Sequence, residues 1–74
     1  MSITEDLADR LAKDTIDAMD RLGDDRLFEE VARTIGATSP TTEEAFRTAM
    51  RVRIAERRAR SFLEEKLAGA GKGG

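Results

Sequence analysis

Residues 45–68 read AFRTAMRVRIAERRARSFLEEKLA. No glycine or proline interrupts this stretch, and Ala, Arg, Glu, Leu and Met dominate it, all residues that lose little side-chain freedom in a helix. Spaced at 100° per residue, its apolar positions fall on two lines instead of one. Phe46, Met50 and Ile54 recur every fourth residue. A second line runs Ala45, Ala49, Val52, Glu56, Ala59 and Leu63 in alternating steps of four and three, with Ala55 and Phe62 on its flank. That is the rhythm of a heptad seam, alanine-rich and interrupted by one glutamate. A helix that packs only within its own small domain needs one apolar stripe. Two stripes predict two partners, and this requirement shapes the reading of the rest of the chain.

Six arginines lie in this region, at 47, 51, 53, 57, 58 and 60. On the wheel Arg47, Arg51 and Arg58 form one flank of the Phe46/Met50/Ile54 line, and Arg53, Arg57 and Arg60 form the other. Long cations commonly border apolar surface in this way, covering it with their aliphatic stems. Arg53, Arg57 and Arg60 are placed to meet an acidic first helix, with Asp6, Asp9, Asp17 and Asp20 as candidate partners.

Moving toward the N-terminus, Pro40 suits a first helical turn, and Thr41 with Glu44 has capping-box spacing. A helix is predicted over about 40–68. The segment ATSPTT before it reads as a loop. Leu27, Phe28, Val31, Ala32 and Ile35 make a compact stripe for a shorter helix, about 25–35, capped by Asp24 or Asp25 and stopped by Gly36. The first segment opens on Ser2 and Glu5, a capping box, and closes on Gly23, which tolerates a left-handed C-terminal conformation. Between them Ile3, Leu7, Leu11, Ala18 and Leu22 form one stripe, widened by Ala8, Ala12, Thr15, Ile16 and Met19, which predicts a helix over about 3–22. Residues 1–68 therefore form one all-α domain of three helices, a short hairpin plus one long C-terminal helix. Residues 69–74, GAGKGG, cannot hold a helix by composition and read as a disordered glycine-rich tail.

With 74 residues and few large apolar side chains, such a chain buries only about 60% of its unfolded surface and ordinarily needs a staple. Cysteine and histidine are both absent, which excludes disulfides, thiolate zinc sites, and the commonest general base and metal ligand. Self-association is the remaining staple, so a homodimer completing a helical bundle is expected. No metal, cofactor or catalytic residue is expected. Asp14, Asp17 and Asp20 lack calcium-loop spacing, and neither Ser39 nor Ser61 has a base partner implied by spacing. The opening MSITEDLADR has neither a basic nor an apolar leader region, and no apolar run approaches the ~18–20 residues of a membrane span, so a cytoplasmic location is expected.

Net charge is −2, but residues 1–36 carry ten acids against five bases and residues 40–68 carry seven bases against five acids. The two halves are complementary. The function this implies is that of a small non-enzymatic protein–protein interaction module, whether regulator, adaptor or accessory subunit. Its partners would be itself and another protein, with no membrane and no small-molecule substrate. Its expected interface is Phe46, Met50, Val52, Ile54, Ala59, Phe62, Leu63 and Leu67, flanked by the six arginines. The alternative is a DNA-associated regulator using residues 27–60. The stretch EEVARTIGATSPTTEEAF resembles the helix-turn-helix of bacterial repressors in spacing, over about eighteen residues. Its would-be recognition helix opens on Thr41, Thr42, Glu43 and Glu44, and carboxylates there oppose base edges and phosphates. The acids suit the positive end of the helix dipole instead.

Overall fold

The computed structural model describes residues 2–73, with side chains described through Ala70. Three helices follow in order: α1 (Ile3–Leu22), α2 (Leu27–Gly36) and α3 (Pro40–Gly73). The arrangement is the expected all-α one, a short hairpin followed by a long C-terminal helix.

Several boundaries follow from local chemistry. Ser2 Oγ accepts from the Glu5 backbone N–H at 3.1 Å, and the Glu5 carboxylate accepts from the Ser2 N–H at 3.3 Å, a reciprocal capping box. At the other end of α1, Gly23 sits at φ 62°, and its N–H donates to the Met19 carbonyl. A side chain at that φ would crowd its own carbonyl, so glycine is required there.

Three other local expectations are corrected. Helix α2 starts at Leu27, and neither Asp24 nor Asp25 caps it. Asp24 Oδ1 accepts from the Arg26 N–H at 3.0 Å, closing an Asx turn before the helix begins. Gly36 ends α2 without a left-handed turn, since Gly23 is the one positive-φ glycine among the described residues. A Cβ at Gly36 would meet the carboxylate end of the flexible Glu43 side chain, which would have to shift. Finally, α3 is capped by Ser39 and not by the Thr41/Glu44 pair. Ser39 Oγ accepts from the Thr42 N–H at 3.2 Å and donates to the Thr42 hydroxyl at 2.7 Å. Pro40 then takes the first helical position, where its missing N–H costs nothing.

The fully buried residues are Ala8, Ala12 and Thr15 of α1, Ala32 of α2, and Phe46 and Met50 of α3. Ile16, Met19, Phe28, Val31, Ile35 and Ile54 pack around them. The face of α1 is rotated from the sequence expectation. Ile3, Leu7, Leu11 and Leu22 point outward, and the small residues of the widening line face the core. Ala8 and Ala12 let the helix backbone come close to α3, so two large side chains, Phe46 and Met50, are enclosed with no solvent access at all. Thr15 is tolerated there because its hydroxyl donates back to the Leu11 carbonyl at 2.8 Å. The Phe28 and Phe46 rings meet edge-on, centroids 6.0 Å apart, which suits the opposite charges of ring edge and face.

Arg53 and Arg57 of α3 reach Asp9 and Asp20 of α1, so α1 and α3 run in the same sense. Phe28 and Glu29 meet Phe46 and Arg47, while Gly36 lies against Glu43, so α2 runs against them. Helix α3 outgrows this body. Its 34 residues span about 51 Å at 1.5 Å each, against a longest molecular extent of 55 Å. The radius of gyration is 15.5 Å, where a compact chain of this length would give about 11 Å. The helix also runs past Ala68 to Gly73, through residues whose composition predicted a loose tail. Once nucleated, a helix adds one hydrogen bond per residue, and each glycine costs only about 1 kcal/mol relative to alanine.

Candidate functional site

The eight residues expected to form an interface separate into two groups. Phe46 and Met50 have no exposed surface, and Ile54 is half-buried against them. Phe46 and Met50 belong to the intrachain core and are unavailable to a partner, while Ile54 packs at its edge. Their four-residue spacing correctly marks one buried face, and the covering elements are the chain's own α1 and α2. Val52, Phe62, Leu63 and Leu67 remain 61%, 62%, 53% and 64% exposed. Ala59 is exposed with them, as is every described side chain from Ala55 to Ala70. The α1/α2 body stops covering α3 after Arg57, and nothing lies within 4 Å of where a Cβ on Gly69 would stand.

The exposed group has relief. Glu56, Ala59, Arg60 and Leu63 line a shallow recess whose floor is the alanine. Their spacing, i, i+3, i+4 and i+7, is that of the diamond which accepts a side-chain knob in coiled-coil packing. Around the back of the helix, Ile54, Arg57, Arg58, Ser61, Phe62 and Glu65 line a second open groove where the body ends. On the seam side the Lys66 ammonium rests 5.9 Å from the Phe62 ring centroid.

Half of the six flank arginines, Arg47, Arg53 and Arg57, are engaged in orienting the helices. Arg53 grips Asp9 with two hydrogen bonds of 2.7 and 2.8 Å. Arg57 reaches Asp20 at 2.7 Å, and Arg60 turns to Glu56 of its own helix at 2.7 Å. Of the four expected acids, Asp9 and Asp20 are used; Asp6 and Asp17 make no ion pair among the described residues. Arg47 is the most heavily engaged. Its guanidinium donates to both oxygens of Glu29 on α2 at 2.8 and 3.1 Å, and to Glu43 at 3.0 Å. The sequence reading had not paired Arg47 with α2. The i, i+4 spacing of Glu43 and Arg47 was the available signal. These contacts hold the carboxyls of Asp9 and Glu29 below their ordinary values, through the Arg53 and Arg47 hydrogen bonds respectively. The same bonds raise Arg47, Arg53 and Arg57 above the usual arginine value.

Among the described residues no cluster of three or more potential ligands could hold a metal ion. No helix is long and apolar enough to cross a membrane. No protein-family model, curated protein or solved structure matches this chain. The surface chemistry of α3 therefore carries the functional reading alone.

Proposed function

We propose that this protein is a non-enzymatic helical interaction module that associates with a second copy of itself through the exposed half of α3. One observation carries this reading: the helix continues well beyond the body that covers it while still carrying Phe62, Leu63 and Leu67 at the surface. Isolated helical segments this short are marginal in water. Large apolar side chains left exposed on such a segment are an ordinary mark of a docking face. The recess over Ala59 gives the face shape as well as hydrophobicity. Paired in this way, two copies would present two α1/α2 bodies to further partners, consistent with a regulator, an adaptor or an accessory subunit.

The DNA-binding alternative receives less support from the same geometry. Arg47, Arg53, Arg57 and Arg60 are committed to carboxylates, and a phosphate would have to displace those partners.

Light scattering after size exclusion tests the reading. The wild-type chain should run as a dimer at tens of micromolar. Leu63→Asp should run as a monomer with its helicity largely kept, because Leu63 takes no part in the intrachain core. A wild-type chain that stays monomeric and fully helical would overturn the proposal.

A further inference from the structure

The self-association reading leaves open how the two long helices run, and the seam residues answer that question. We infer that the second copy packs antiparallel, with the two helices crossing at the level of Ser61. The inference rests on the proposed self-association and adds its direction and register.

Val52, Glu56, Ala59, Leu63, Lys66 and Ala70 follow one another in steps of four and three along the exposed face. Reversed about Ser61, this series is its own complement. Leu63 of one copy falls on Ala59 of the other, a large side chain over the floor of the recess. Glu56 falls on Lys66 of the second copy, and Val52 falls on Ala70. Each layer then joins large with small or acid with base, as knobs-into-holes packing requires.

Parallel, in-register pairing does the opposite. Every seam residue meets its own copy, so Glu56 faces Glu56 and Lys66 faces Lys66. Leu63 crowds Leu63 while Ala59 leaves a gap over Ala59. Like charges brought together in an interface select against that arrangement. Among the described residues, Glu56 pairs with Arg60 of its own helix and Lys66 rests on the Phe62 face. Both are at the surface and can exchange those partners for one another.

The bodies leave room for this arrangement. Phe46 and Met50 point into the α1/α2 side of α3, whereas the seam lies on the opposite side of the helix, with Val52 open to solvent. A second helix laid along the seam would reach the open groove that Val52 and Thr48 line together with Glu5 and Asp9 of α1.

Two experiments on the full chain test the register. The first inverts the charged layer. Glu56→Lys alone and Lys66→Glu alone should each weaken the dimer at least about tenfold, and the double inversion should restore it to within about threefold. A parallel dimer would respond little to any of the three, because each merely replaces one like-charge layer with another. The second uses the absence of native cysteine. Chains carrying Val52→Cys and Ala70→Cys are mixed and oxidised. Antiparallel packing yields the mixed disulfide, and parallel packing yields each chain bonded to its own kind. A dimer by light scattering that gives only same-residue disulfides overturns the register while leaving self-association intact. A monomer overturns both.

Discussion

Phe46 and Met50 are the two large side chains that the fold encloses completely, and both lie on the same line of α3 as half-buried Ile54. The small residues around them, Ala8, Ala12 and Ala32, have no spare bulk with which to fill a hole. Phe46→Ala should therefore cost about 3–5 kcal/mol and Met50→Ala about 2–5 kcal/mol. For a domain with only a few kcal/mol of net stability, the Phe46 variant should be largely unfolded at 25 °C by far-ultraviolet circular dichroism. Val52→Ala, one turn away on the exposed seam, should leave the fold of the single chain nearly unchanged. The contrast checks the division of α3 into a core face and a surface face.

At the scale of elements, two devices set how the helices meet. The first is the left-handed turn at Gly23, which reverses the chain between α1 and α2. Gly23→Ala should destabilise by about 1–2 kcal/mol, read from urea unfolding, although the space around that Cβ is open. The second is the set of ion pairs. Asp9 and Glu29 have depressed carboxyl values because they accept hydrogen bonds from Arg53 and Arg47. A group depressed on folding adds stability above its unfolded value, and that stability is lost as pH falls through its folded value. The urea midpoint of the wild-type chain should therefore hold near neutrality and fall once pH drops below the ordinary values of 4.5 for Glu29 and 3.8 for Asp9. The double variant Asp9→Asn, Glu29→Gln should start lower and show a flatter acid limb. Exposed pairs of this kind contribute modestly, and salt should reduce the difference between the two proteins.

At the scale of the whole molecule, the elongated shape and the uncovered end of α3 bear on the proposed self-association. If two copies pair along the seam, unfolding is coupled to dissociation, and the thermal midpoint should rise with protein concentration. For Leu63→Asp the midpoint should be independent of concentration. A second uncovered apolar line, Ile3, Leu7 and Leu22 of α1, lies outside the α3 seam. It gives the α1/α2 body an exposed apolar face of its own.

Much of this molecule was legible residue by residue. Ser2 with Glu5, Gly23 and Pro40 mark helix ends because capping and turn chemistry act within a few residues of chain. The uninterrupted run from Ala45 to Ala68 marks the long helix, and its two apolar lines mark two faces. The tertiary structure decided which line of α1 turns inward, and it removed Phe46 and Met50 from the expected interface by covering them with the chain's own hairpin, with Ile54 left half-buried at its edge. It also tied Arg47 to Glu29, which stands eighteen residues away. The physical reason is one of range. Capping, propensity and periodicity depend on neighbours along the chain. Burial depends on how bulky and small side chains from distant segments fit together, as when Ala8 and Ala12 rather than Leu7 and Leu11 came to face Phe46 and Met50.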